Sequence, residues 1–510
     1  MSIKARLSKP FASLIARNIK NWSEAPVETQ DKVFKKLITA AKDTLFGQEH
    51  DFGSIRDHQD FKERVPVRNY EALSGYFNKI IEGQENVLWK GKPIYLSKTS
   101  GTTSGAKYIP ITKGSLRNHL NAARDALLLY IAQTGKTGFV NGKMIFLQGN
   151  PELDKTGNIP VGRLSGIVAH HVPVWLQKNR MPSYNINCIE DWEAKVDAIV
   201  EETLKEDMRL ISGIPPWVQM YFDKLIERSG KQNIAEIFPN FSLFVHGGVN
   251  YQPYRKSIEN TIGKSIDVIE TYPASEGFIA FQDSFTAESL SGDSAGSVGL
   301  LLLLNNGIFY EFIPANEYFS KNPTRLSIGE VEIGVNYAII LSSNAGLWGY
   351  SIGDTVKFVS KNPYRLIVTG RIEHYISAFG EHVIASEVEA ALLSVAKKEG
   401  VSITEFTVAP QVNPPEGGTP HHEWYIEFDN PPVDIALFAK KADEILCEKN
   451  IYYNDLITGK ILQPLKIRVM QKNAFRKYMK SKGKLGGQNK VPRLANDRSI
   501  ADGLAKFVNL

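Results

Sequence analysis

Between about residue 94 and residue 371, short β-rich runs alternate with helical stretches and are separated by Gly, Pro and Asn clusters. IYLSKTS, KMIFLQG, LFVHGGV, SIDVIETY, GIFYEFIP and YAIILSS are such runs. Strands that alternate with helices in this way predict an α/β fold with a largely parallel sheet. Upstream, from Phe11 to about Leu88, apolar residues recur at three- and four-residue steps, as in DKVFKKLITAAKDTLF, and predict an amino-terminal helical layer. Downstream, near Arg371, the texture changes again. SEVEAALLSVAKKEG reads as an amphipathic helix, FTVAP and HHEWYIEF as strands, VDIALFAKKADEILCEKN as a helix and LKIRVM as a strand. That order describes a small α+β domain of about 140 residues. The expected architecture is therefore a large multi-layer α/β domain over 1–370, including the helical layer, followed by a small carboxyl-terminal α+β domain over 371–510. NPPEGGTPHH, Asn413 to His422, reads as a turn-rich loop inside the small domain.

Composition narrows the function classes. Of 510 residues 43% are hydrophobic and 23% charged, as in soluble globular proteins. The longest apolar stretch, VGLLLLL from Val298 to Leu304, falls far short of the ~20 residues a membrane helix needs. The amino terminus intersperses Lys and Arg among its apolar residues and lacks the pattern of a signal peptide. The two cysteines, Cys188 and Cys447, provide neither a disulfide framework nor a zinc spacing, so a cytoplasmic location is expected. The net charge of +5 conceals an asymmetry: residues 466–498 carry 11 Lys or Arg and one acid, which makes this stretch +10 and the remainder −5. Something anionic is expected near the carboxyl end, or else a solvated basic face. No nucleic-acid-binding motif accompanies the charge, so neither a nucleic-acid partner nor a membrane is expected.

Three short motifs carry candidate chemistry. TSGTTSGAK, Thr99 to Lys107, follows the IYL run. Its glycines let backbone N–H groups approach an anion, Ser100, Thr102, Thr103 and Ser104 offer hydroxyls, and Lys107 adds charge. A phosphate cradle and a plain flexible turn both fit, and the GKS or GKT of a Walker motif is missing. ETYPASEG, Glu270 to Gly277, follows a strand and falls at its carboxyl end, where open α/β sheets bind ligands. There Tyr272 could stack on a base and Glu276 could hold a Mg²⁺ that bridges phosphate oxygens, or the segment could be a simple β-turn. Just upstream, Gly247 and Gly248 in HGGVN would let a flat adenine approach the backbone. AGLWGYSIGD, Ala345 to Asp354, ends on a carboxylate able to accept hydrogen bonds from both ribose hydroxyls, or on one that merely closes a hairpin.

In this order the motifs resemble the adenylate-forming superfamily. FKERVPVRNYEALSGYFNKIIEGQENVLWKGKPIYLSKTSGTTSGAKYIPIT, FYEFIP, AGLWGYSIGD and GGQNKVPR narrow the resemblance to the Gretchen Hagen family of acyl-acid amido synthetases, which join amino acids to carboxylic acids such as plant hormones. It extends from about Phe61 to Arg493. The resemblance implies that Ser100, Gly101, Thr102 and Thr103 hold the phosphates of ATP, that Tyr272 and Ser275 lie against the adenosine, that Glu276 binds Mg²⁺ and that Asp354 binds the ribose. It also implies that Arg371 is the hinge-proximal arginine and that Lys490 is the late catalytic lysine. Two positions depart from the family pattern: Ser351 stands where Arg or Lys is usual, and Pro273 and Ala274 replace Gly and Ser.

The chemistry implied is two half-reactions. A carboxylate attacks the α-phosphate of ATP to give an acyl-adenylate and pyrophosphate; an amino acid's amine then takes the acyl group and AMP leaves. A CoA-thioester-forming ligase would share the first step, and a catalytically silent nucleotide- or acid-binding protein would share the fold. Leu164 to Leu176 and Leu210 to Phe222, both apolar with aromatic residues, are candidate lining for a hydrophobic or aryl acid, or plain core. Adjacent His170 and His171 diverge on either regular structure, so a shared metal is not expected, nor is one at His421 and His422 in their predicted loop.

Overall fold

A computed structural model describes residues 3–102, 105–172, 177–248, 251–285, 298–372, 375–376, 378–381, 383–415, 417–482 and 491–509. Its strands in chain order are β1 (Tyr95–Thr102), β2 (Gly105–Ile111), β3 (Lys143–Phe146), β4 (Asp154–Thr156), β5 (Ile159–Gly162), β6 (Arg180–Met181), β7 (Met208–Ser212), β8 (Leu243–Gly247), β9 (Asp267–Ala274) and β10 (Gly277–Phe281). They continue as β11 (Leu300–Leu302), β12 (Ile308–Pro314), β13 (Asn336–Ser343), β14 (Tyr350–Lys361), β15 (Tyr364–Arg371), β16 (Tyr375–Ile376), β17 (Val383–Ile384), β18 (Ser402–Gln411), β19 (His421–Asn430) and β20 (Lys466–Val469).

The main sheet runs β12-β13-β14-β15-β11-β10-β9-β8-β7-β3-β6. From β6 to β9 it is parallel, with helices such as Trp192–Thr203, Pro215–Ser229 and Gln252–Ile262 between successive strands. From β9 to β12 it is antiparallel. The expectation of a largely parallel sheet therefore holds for four of its ten strand pairings only. For β13 to β15 the reason is connection length: they are joined by short turns, and a parallel pairing needs a crossover of a dozen or more residues. Strands β1 and β2 form a hairpin in a separate sheet, β2-β1-β5-β4, and β18-β19-β20 make a third.

Helices Ile3–Ser23, Pro26–Ala41, His58–Arg64 and Tyr70–Ile81 form the amino-terminal layer. The second buries Gln30, Phe34, Leu37, Ile38 and Ala41, one stripe at helical spacing. Gln30 fastens that stripe to the sheet: its amide donates to the Leu304 carbonyl at 2.6 Å and the Ile308 carbonyl at 2.9 Å, and accepts the Tyr310 N–H at 2.9 Å. Buried side chains of the parallel part, such as Phe244 and Ile258, share one apolar core with Ile376, Phe379, Val388 and Phe438. The carboxyl-terminal segment is thus packed directly on the parallel end of the main sheet.

Candidate active site

A cleft of about 1160 Å³ opens over the carboxyl ends of β8 and β9 and is bounded by β1, β2, β14 and β15. At its floor three strands converge. Tyr272 of β9 donates its hydroxyl to Asp354 Oδ2 at 2.5 Å. Asp354 of β14 and Arg371 of β15 are register partners in the antiparallel ladder, so their side chains share a face, with Arg371 Nε 3.0 Å from Asp354 Oδ1. Arg371 also donates to the Ile352 carbonyl. Ser351 does not face this cluster as a polar contact: it is buried and accepts the Tyr318 hydroxyl at 2.8 Å. The positive charge beside Asp354 comes from Arg371 instead.

Strands β9 and β10 are joined by a two-residue turn, with Ala274 paired to Gly277, and this turn carries Ser275 and Glu276. Ser275 Oγ accepts from Ser97 Oγ of β1 at 2.9 Å, which ties the turn to the serine- and threonine-rich hairpin. Burial raises the Glu276 carboxyl above its ordinary range, while the charges of Lys107 and Arg371 oppose that shift. Lys107 lies on β2 opposite Thr99. Ser100, Gly101 and Thr102 complete β1, so the motif is the tip of a hairpin rather than the entry to a helix; Thr103 lies outside the described residues, as does Lys490.

The two glycines after β8 are required for different reasons. A Cβ on Gly247 would come within 2.3 Å of the Thr271 carbonyl oxygen, so strand proximity demands glycine there. On Gly248 the nearest atom would be 3.9 Å away, and it is the backbone, at φ +83°, that favours glycine. Both line the cleft.

Several lining residues escaped the sequence reading. Glu270 shares Tyr272's face of β9, as the two-residue period dictates, and burial pushes its carboxyl up to about 7. Arg163 and Tyr452 come from distant segments with no motif around them. Of the two candidate acyl segments, Leu164, Ser165, Ser212, Gly213, Ile214 and Trp217 line the cleft, whereas Val218, Tyr221 and Phe222 are core. The histidine pairs also resolve. His170 contacts the Pro151 carbonyl at 2.7 Å and His171 the Tyr95 hydroxyl at 3.0 Å, in different directions. His421 and His422 are not in a loop but open β19, both buried, with His422 Nε2 2.8 Å from Glu381. The strand starts earlier than the Gly- and Pro-rich run suggests because Gln411 and Pro410 of β18 pair with them.

Among the described residues no group of three or more His, Cys, Asp or Glu is arranged to hold a metal ion. A single carboxylate such as Glu276 fits Mg²⁺, which takes its remaining ligands from water and substrate phosphates. No helix of the described residues is long and apolar enough to cross a membrane.

Residues 15–171 and 152–266 match the GH3 family N-terminal domain, residues 301–371 the GH3 family central domain, and residues 386–499 the GH3 family C-terminal domain. A jasmonoyl–L-amino acid synthetase, JAR4 of Nicotiana attenuata, is 20% identical over 92% of this chain and 92% of its own. The indole-3-acetic acid-amido synthetase GH3.3 of Arabidopsis thaliana is 21% identical over 93% of this chain and 90% of its own. Among solved structures, the acyl acid amido synthetase AtGH3.15 in complex with 2,4-DB superposes with a TM-score of 0.62 at 15% identity, covering 98% of this chain and 96% of that one. A 2-hydroxyisobutyryl-CoA ligase with 2-HIB-AMP and CoA, in its thioesterification state, gives 0.54 at 14% identity, over 99% and 92%.

Proposed function

The chain belongs to the GH3 family, and from that premise we propose that it is an ATP-dependent acyl-acid amido synthetase that conjugates a carboxylic acid to an amino acid. The observation that carries the reading is the convergence of Tyr272, Asp354 and Arg371 on one side of the cleft with Glu276 and Lys107 facing the same space. Full-length relatives named as jasmonoyl- and indole-3-acetic acid-amido synthetases support it.

In the first half-reaction the acid's carboxylate oxygen bonds to the α-phosphorus of ATP as the bond to the β-phosphate oxygen breaks, and pyrophosphate departs. In the second, the amine bonds to the acyl carbon, the carbon–oxygen bond to AMP breaks, and the amine's proton passes to solvent. Neither step needs a protein nucleophile; positioning and charge stabilisation supply the rate. In this assignment Asp354 accepts the ribose hydroxyls, with Tyr272 and Arg371 fixing its orientation, and Ser275 holds the turn against the phosphate hairpin. Gly248 lets the base approach the backbone. Ser100, Gly101, Thr102, Thr103 and Lys107 receive the phosphates. Glu276 would hold Mg²⁺, whose chemistry there is to neutralise phosphate charge. Lys490 in the basic carboxyl-terminal segment serves the adenylation step.

We assign residues 1–370 to the nucleotide and acyl sites and 371–510 to a mobile domain that changes orientation between the two steps. The acid is hydrophobic or aryl, received by Leu164, Ile214 and Trp217. The free cysteines Cys188 and Cys447 support a reducing, cytoplasmic setting. The test is pyrophosphate release across aryl and fatty acids, with and without an amino-acid mixture and with and without CoA. Release that requires an acid, is lost in Glu276→Ala and yields an amide only with amino acids establishes the reading; a product that forms only with CoA replaces it with a thioester ligase.

A further inference from the structure

The helix Ile451–Thr458 of the carboxyl-terminal segment lies against the mouth of the cleft, and its contacts there are made outside the Tyr272, Asp354 and Arg371 cluster. The Tyr452 hydroxyl donates to the Lys98 carbonyl at 3.4 Å and meets the Thr99 side chain, both on the strand that leads into the Ser/Thr-rich hairpin tip. Three residues on, and so on the same helix face, Asp455 receives the Arg163 guanidinium. That guanidinium lies 4.9 Å from the centre of the Tyr452 ring and folds over Gly149, where a Cβ would come within 2.9 Å of Arg163 Cδ. Beyond the helix, Lys460 Nζ is 2.8 Å from Glu193 Oε2. The partners that Tyr452, Asp455 and Lys460 meet here, Lys98, Thr99, Arg163 and Glu193, belong to the amino-terminal part of the chain, whereas Tyr453 between them anchors the helix to its own segment through Asp443.

We propose that this helix is a clasp for the acyl-transfer half-reaction, in which Tyr452 and Asp455 act as positioning residues that seat the small domain on the phosphate hairpin after pyrophosphate has left. The proposal rests on the amido synthetase reading, which puts the triphosphate at that hairpin. A polyphosphate there and the Tyr452 hydroxyl at Lys98 and Thr99 compete for the same end of the cleft. Bound triphosphate therefore disfavours the clasped arrangement, and departure of pyrophosphate releases it, so substrate occupancy selects between two domain arrangements. Arg163 links the two sides of the device, since one guanidinium satisfies Asp455 and stacks on Tyr452.

The experiment separates the half-reactions, with benzoate and hexanoate as acyl probes and a mixture of the protein amino acids as amine. In Asp455→Asn and in Tyr452→Phe, acid-dependent ATP–pyrophosphate exchange stays within about twofold of wild type. Transfer from the isolated acyl-adenylate to the amine slows about three- to tenfold, the size that a partly exposed ion pair or one hydrogen bond supplies. Lys460→Ala, at an exposed position that cannot unfold the core, shows the same split more weakly, and the exchanged pair Arg163→Asp with Asp455→Arg recovers transfer. Equal loss of both half-reactions, or unchanged transfer in Asp455→Asn and Tyr452→Phe, overturns the clasp. If wild type itself shows no acid-dependent exchange, the amido synthetase reading falls and the clasp with it; a competent wild type with variants that do not split removes the clasp alone.

Discussion

The Tyr272 hydroxyl lies 2.5 Å from Asp354 Oδ2, so a residue at the end of β9 and one in the middle of β14 hold each other across the floor of the cleft. One carboxylate oxygen is thereby fixed by the tyrosine and the other by Arg371 at 3.0 Å. Asp354 reaches its ligand already oriented, at no further ordering cost.

If Asp354 accepts the ribose hydroxyls, replacing it removes charge-assisted hydrogen bonds worth about 1.5–3 kcal/mol each. We expect Asp354→Ala to raise the KM for ATP by at least about tenfold. The sharper signature is discrimination: wild type prefers ATP to 2′-deoxy-ATP, and Asp354→Ala treats the two nearly alike. Side-by-side titration of both nucleotides measures this, and retained discrimination in the variant would place the ribose elsewhere.

Burial pushes Glu270 up from 4.5 to about 7 on the cleft face of β9. With a raised folded-state pKa, the native state holds the proton more tightly than the unfolded chain, so stability declines as pH rises from about 4.5 to 7 and levels off above. We expect Glu270→Gln to flatten that part of the melting-temperature profile. ATP should also bind wild type more weakly at pH 8 than at pH 6, because a new negative charge then faces a polyanion, and the variant should lose this difference. Calorimetric titration at the two pH values checks it.

Arg325 pairs with Glu311 through two hydrogen bonds of 2.9 and 2.7 Å, and His58 approaches the same carboxylate at 2.8 Å, all beneath the amino-terminal helices. Burial alone would raise the Glu311 carboxyl, but Arg325 and His58 together hold it below its usual value. A depressed pKa means stability that is present above the unfolded carboxyl's pKa and lost as pH falls through the folded one. Arg325→Ala leaves a buried carboxylate unpaired and should cost about 3–5 kcal/mol by denaturant unfolding. Arg325→Met with Glu311→Leu should recover most of the loss, because the penalty comes from the orphaned charge rather than from the missing pair.

The sequence revealed what is written locally. The helical stripe of Phe34, Leu37 and Ile38, the strand runs and the glycine-flanked motifs each signal themselves within a few residues. Tyr272, Glu276 and Asp354 stand out in the sequence as local motifs and line one cleft, although Asp354 lies inside β14 rather than at the turn its glycine suggests. Sheet direction was less readable, since it depends on whether a helix fits between two strands, and the stretch from Asn336 to Arg371 has hairpins where the alternation suggested crossovers. Contacts that join distant segments were not readable at all. Arg163 meets Asp455 across 292 positions, and nothing near either residue announces the other. His421 and His422 illustrate the same limit: their turn-rich flank suggests a loop, and only pairing with β18 makes them buried strand residues.

The central claim is that an acyl-adenylate lies between acid and amide, and the fate of the carboxylate oxygen tests it most directly. With an acid labelled in its carboxylate by oxygen-18, turnover with ATP and amino acids should leave one labelled oxygen in the phosphate of AMP and one in the amide, as read by mass spectrometry. Label recovered in inorganic phosphate, accompanied by ADP, would mean an acyl phosphate instead, and amide formation without label in AMP would contradict the account altogether.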